Sequence, residues 1–152
     1  MIFQRILVPV DYSEHCLAAL AVAAELAERF GGKLDIVHVW DRPTYISDAV
    51  LVGHGQGQRP LGEMIRENAE RDMQSFLAKV TLPESVRGAQ RLVSGDPASA
   101  LLKEIESQRY DLVVMSTHGR SGIAHLLLGS VTEKIVRHSP VPVLIVPGKA
   151  QT

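Results

Sequence analysis

The chain has 152 residues, 45% hydrophobic and 22% charged, and at that size roughly 70% of the unfolded surface can be buried, so a single domain over residues 1–152 with one compact core is expected. That composition excludes disorder and fibrous repeats. Sixteen Lys and Arg against seventeen Asp and Glu give a formal charge of -1, which leaves no electrostatic footprint for coating nucleic acid or anionic lipid, so any polyanion must be met locally.

The single cysteine, Cys16, cannot form an internal disulfide, and as the lone cysteine of a helical segment it reads as a small core hydrophobe. The first residues carry no basic, apolar and cleavage pattern of a secretory signal, and no apolar run approaches the roughly 18 residues of a membrane span. A cytoplasmic protein without a membrane partner is therefore expected.

Short β-branched runs alternate with segments of helical period, the pattern of βαβ units around a parallel sheet. Ile6–Val10 reads as the first strand, with Pro9 near its exit. Ser13 is expected to cap a helix from Glu14 to Phe30 that turns Leu17, Leu20, Ala21, Ala24 and Ala27 inward and ends at Gly31-Gly32. A second strand covers Leu34–Trp40. Residues 41–60 hold three glycines and two prolines without a sustained period, which predicts a long loop; the run Gly53-His54-Gly55-Gln56-Gly57 within it stands far from any strand end and reads as flexible.

Leu61–Lys79 is helical and charged on its outer face, with Met64, Ala69, Met73, Phe76 and Leu77 for the core. Arg91–Ser94 is a short third strand, and Asp96-Pro97 opens the next helix as N-cap and first residue. Asp111–Ser116 is the fourth strand, apolar enough to be buried on both faces. Ser130–His138 is a short helix, and Val141–Val146 a fifth strand that Pro142 places at an edge. Five strands joined by right-handed helical crossovers make a three-layer, doubly wound α/β sheet, whose ligand site lies beyond the carboxyl ends of the strands.

Three strand ends are thereby selected: Val8–Asp11, His38–Trp40 and Met115–Gly119. The last reads Met115-Ser116-Thr117-His118-Gly119-Arg120, and Gly129-Ser130-Val131-Thr132 then opens a helix. A strand feeding a glycine-bearing loop and a helix start offers backbone amides and a positive dipole end to phosphate. Gly119 and Gly129 allow close approach, while Ser130, Thr132 and Arg120 can add charge-assisted bonds. A second reading of the same residues is a capping box, Ser130 with Glu133, which needs no ligand. Neither a Walker A sequence nor a G-x-G-x-x-G after the first strand is present, so P-loop, kinase-like and dinucleotide readings lose support.

These residues resemble the universal stress proteins of the ATP-binding kind, whose G-x2-G-x9-G-[ST] motif has its second half in Gly119, nine residues, then Gly129-Ser130; Ser116 stands where the motif has its first glycine. The resemblance runs over nearly the whole chain, through RILVPVD, IVHV, DLVVMSTHGRSG and LLLGSVTEKIVRHSPVPVLIV. It implies an adenine nucleotide alpha hydrolase-like sheet of order 3-2-1-4-5. It also implies that Pro9, Val10, Asp11 and Val39 wall the adenine, with Met115, Ser116, Thr117 and His118 beside ribose and adenosine. Gly119, Arg120, Gly129, Ser130, Val131 and Thr132 would cradle the phosphates. The implied cofactor is ATP, with Mg or Mn carried on its phosphates, and the implied partner a second copy paired through Val141–Val146.

A stress-response signalling module with at most slow ATP hydrolysis fits best, because no water-orienting carboxylate or glutamine stands in the loop. A nucleotide-independent dimeric interaction protein is the alternative. Nucleotidyl-transferring or ammonia-activating chemistry is disfavoured by the absence of an SGGxDS loop or an HxGH signature.

Overall fold

The computed structural model describes residues 2–40, 47, 49–117 and 128–148. Its main sheet is built from β1 (Arg5–Pro9), β2 (Lys33–Trp40), β5 (Arg87–Ser94), β6 (Leu112–Ser116) and β7 (Val143–Val146), all parallel, in the spatial order β5-β2-β1-β6-β7. Counting these five alone in chain order, that is 3-2-1-4-5. A short antiparallel ladder, β3 (Leu51–Val52) with β4 (Arg59–Pro60), lies in the connection after β2. The glycine-rich run predicted to be flexible is its turn, containing one 3-10 turn over Gly55–Gly57.

Period-two alternation along the strands divides the core between the two faces of the sheet. Ile6, Val8, Leu34, Ile36, Leu112 and Val114 face helices α1 (His15–Phe30) and α2 (Leu61–Leu77). Leu7, Val37, Val113 and Met115 face α3 (Pro97–Gln108) and α4 (Ser130–His138). Every one of these strand side chains is 5% exposed or less, which is why the sequence shows continuous apolar runs rather than clean alternation.

Helix α1 differs in phase from the expected stripe. Cys16, Ala19, Leu20, Ala23, Ala24 and Ala27 are buried, whereas Leu17 is 39% exposed and Ala21 is exposed. Alanines on the inner face let the helix axis approach the sheet closely, and an alanine-rich face carries little hydrophobic signal in sequence. Ser13 does not cap it: the N-cap is Glu14, without a side-chain bond, and Ser13 turns back to Asp11 instead. The helix ends as expected at Gly31, left-handed at φ 66°. In α2, Met73 and Phe76 are buried, while Met64, Ala69 and Leu77 are only half-buried.

Strand β5 begins four residues before the predicted start, and the reason is a buried charge. Asp35 on β2 is 4% exposed; it accepts from the Ala89 amide at 2.7 Å, from Arg5 at 2.9 Å and from the Tyr110 hydroxyl at 3.1 Å, with Arg91 at 3.7 Å. Arg91 is also bonded to Glu104 at 2.6 Å. A side chain at Gly88 would put its Cβ 2.1 Å from the Asp35 carboxylate, so only glycine lets the strand lie against that carboxylate. The network joins β1, β2, β5 and α3 at the amino end of the sheet, opposite the strand ends selected from sequence.

Burial and the neighbouring Asp35 carboxylate hold the Tyr110 phenol above its ordinary value of 10.0. The folded chain therefore keeps this proton after the unfolded chain has released it, so the stability it contributes is complete below pH 10 and falls as pH rises further. The urea midpoint should decline above pH 10, and the decline should flatten in Tyr110→Phe, which at neutral pH costs about 1 kcal/mol for the lost hydrogen bond.

Candidate functional site

The order of the sheet reverses between β1 and β6, because α1 and α2 cover one face and α3 and α4 the other. Chains leaving the two strands there diverge and open a crevice at the carboxyl ends. A cleft of about 310 Å³ occupies this place, lined by Pro9, Val10 and Asp11 from the end of β1, Val37, His38 and Val39 from β2, Pro97 and Leu101 from α3, Met115 and Ser116 from β6, and Gly129 to Thr132 at the start of α4. Ten of the residues selected from sequence are thus brought together. His118, Gly119 and Arg120 lie outside the described residues.

Thr117 lies beside the cleft rather than on its wall. Its amide donates to the Val146 carbonyl at 3.2 Å and its carbonyl accepts from Gly129 at 3.0 Å, so it fastens the start of α4 to the end of β6. Thr132, 5% exposed, adds a second tie, its hydroxyl donating to the Ser116 carbonyl at 3.2 Å.

The capping-box expectation is corrected. Gly129 is the N-cap of α4, with no side-chain cap bond, and its carbonyl accepts the Glu133 amide at 2.9 Å. Ser130 therefore sits one residue inside the helix, where its side chain cannot take the N-cap role. The amides of Ser130, Val131 and Thr132 have no acceptor within the helix, as at any α-helix start, and these three residues line the cleft.

The opposite wall is held by a tight turn after β1. The Val10 amide donates to Val37 at 2.8 Å, and the Val10 carbonyl is 2.7 Å from His38 Nδ1. Asp11 Oδ1 accepts from the Ser13 amide at 3.0 Å and from its hydroxyl at 2.5 Å. Cys16 lies just behind, buried, its thiol pushed up chiefly by burial and donating to the Ser13 carbonyl at 2.8 Å. The cleft thus has an apolar middle, Pro9, Val37, Val39, Leu101 and Met115, between a carboxylate at one wall and a helix start with hydroxyls at the other.

Of the lining residues, His38 belongs to a selected strand end but was given no role there, and three were missed from sequence: Val37, Pro97 and Leu101. The last two come from the crossover helix after β5, whose position over the switch point is a product of topology. His38 carried a signal, a lone histidine in the otherwise apolar second half of a strand.

A family model described as the universal stress protein family matches residues 2–147. The chain belongs to the universal stress protein family. A universal stress protein from Thermus aquaticus, named for its place in the 3' region of a QAH/OAS sulfhydrylase gene, is 32% identical over 145 residues, 95% of this chain and 98% of its own. Among solved structures, the hypothetical protein MJ0577 superposes with a TM-score of 0.78 at 26% identity, over 99% of this chain and all of its own. A universal stress protein in complex with cAMP gives 0.58 at 28% identity, over 96% of this chain and 98% of its own.

The Thr132 tie between α4 and β6 makes a direct expectation for this universal stress protein. Thr132→Val should lower stability by about 1 kcal/mol in urea unfolding, and Thr132→Ser, which keeps the donor, should recover most of it.

Proposed function

We propose that this universal stress protein binds an adenine nucleotide, ATP, in the cleft between β1 and β6 and acts as a nucleotide-dependent stress-response signalling module. The observation that carries the reading is the two-ended cleft: an apolar slot walled by Pro9, Val39 and Met115, with Asp11 at one side and the start of α4 at the other. A planar base fits the apolar part, the Asp11 carboxylate can accept from an exocyclic amine, and the Ser130–Thr132 amides with the Ser130 hydroxyl suit phosphate oxygens, the Thr132 hydroxyl being donated to Ser116 instead. That a 28% identical universal stress protein is in complex with cAMP supports an adenine nucleotide as the ligand class.

The donor set also fits ATP better than a bare metal ion. Among the described residues no group of three His, Cys, Asp or Glu gathers, so Mg or Mn would be held through the phosphates, in the way a divalent ion favours. Ser116, in the motif glycine's place, ends β6 with its carbonyl committed to Thr132, and its small side chain on the cleft wall can reach a ribose hydroxyl. His118, Gly119 and Arg120 follow Thr117 in sequence and complete the proposed phosphate loop.

Binding without efficient turnover follows from the same inventory. Asp11 is the only carboxylate among the described lining residues, and its Oδ1 accepts from Ser13 at the β1 turn, away from the start of α4. Saturating ATP should raise the melting temperature by about 5 °C or more. Gly129→Val should abolish that rise; Gly129 has φ -57°, a backbone any residue adopts, so the loss would report crowding of the site rather than strain. An unshifted melting temperature in the parent protein would overturn the reading.

A homodimer through the last strand is part of the same proposal. Strand β7 is a sheet edge, its outer backbone groups invite pairing, and Leu144 on it is 38% exposed. Leu144→Lys should shift sedimentation from dimer to monomer without changing the circular dichroism spectrum.

A further inference from the structure

The turn that follows β1 is held in a conformation its own residues disfavour. Tyr12 has φ 65°, the left-handed region that costs a bulky residue of order 1 kcal/mol or more. Its ring is stacked on His38, centroids 4.0 Å apart and planes 26° apart, and tilted against Phe76 at 5.2 Å. His38 Nδ1 is 2.7 Å from the Val10 carbonyl; because a carbonyl only accepts, that nitrogen carries the proton and donates. His38 thus grips the turn twice, by a hydrogen bond before Asp11 and by a stacked ring after it.

We propose that His38 is a positioning residue for base recognition: with Tyr12 it locks the β1–α1 turn in its strained form and so keeps the Asp11 carboxylate on the cleft wall. Val10, whose amide and carbonyl are both tied to β2 and whose side chain is 5% exposed in the core, serves the same end by framing the wall. The inference rests on the adenine-nucleotide reading for its ligand but not for its mechanics. The turn is ordered by protein contacts alone, so ordering it adds no cost when the ligand arrives, which is the energetic meaning of preorganisation.

Two readouts separate this role from general support of the fold. By calorimetry, His38→Phe, which keeps a ring for Tyr12 and loses the donor, should weaken ATP about tenfold and shrink the preference for ATP over GTP, while inorganic tripolyphosphate binds as to the parent. His38→Asn, whose side-chain amide can donate to Val10 but which offers Tyr12 no ring, should weaken ATP about threefold, between the parent and His38→Phe. By amide exchange without ligand, the Ser13 amide should exchange about tenfold faster in His38→Phe, with Val8 and Ile36 unchanged. Tyr12→Leu should give the same pattern and serves if His38→Phe fails to fold. Unchanged Ser13 exchange, equal losses of ATP and tripolyphosphate, or His38→Asn as damaged as His38→Phe would each overturn the proposal. If the parent protein binds no ATP, the nucleotide reading falls, and the Ser13 exchange rate alone decides the positioning role.

Discussion

The structure depends on one topological constraint, the reversal of strand order at β1. The chain builds outward from β1 to β2 and β5 with α1 and α2 on one face, then crosses back to lay β6 and β7 on the other side of β1, with α3 and α4 on the opposite face. Right-handed crossovers on both sides force the segments leaving β1 and β6 apart. The cleft is the consequence, and its two walls are tied to different halves of the sheet. No side chain has to be spent on creating the opening; side chains only furnish it.

Polar groups are distributed accordingly. At the amino end of the sheet, Asp35 is buried among Arg5, Arg91, Tyr110 and the Ala89 amide, so its charge is compensated from four directions. Removing one partner from such a network costs far more than the network contributes over an apolar substitute, which makes it a fixed point linking β1, β2, β5 and α3. At the carboxyl end, Thr117 and Thr132 tie α4 to β6 and β7, and His38 and Tyr12 tie the β1 turn to β2 and α2. Rigidity at both walls is what a small cleft needs if it is to select a base by shape.

Much of this was legible in the sequence, because parallel strands buried on both faces and helices with clear stops announce themselves. Helix α4 has the limits read from Ser130 and His138, Asp96 caps α3 by accepting from the Ser99 amide at 3.0 Å, and the strand order is the one the family resemblance implies. What was misread has local causes. The start of β5, Arg87-Gly88-Ala89-Gln90, has no strand-like pattern and is recruited by pairing with β2 and by Asp35. The phase of α1 was lost to alanines, and Ser13 was taken for a cap although Asp11 competes for it. Ser130 looked like a cap because Glu133 stands at the right spacing, yet the N-cap is the glycine before it. Pro97 and Leu101 reach the cleft only through the crossover of α3, which no local pattern encodes.

The central claim is that ATP lies across the cleft from the β1 turn to the start of α4. A titration with ATP followed by two-dimensional amide nuclear magnetic resonance tests it most directly. The account predicts saturable shifts at Val10, Asp11, Val39, Ser116, Ser130, Val131 and Thr132, with Asp35, Ala89 and Tyr110 at the far end of the sheet unmoved. Shifts confined to other surfaces, or none at saturating nucleotide, would contradict it.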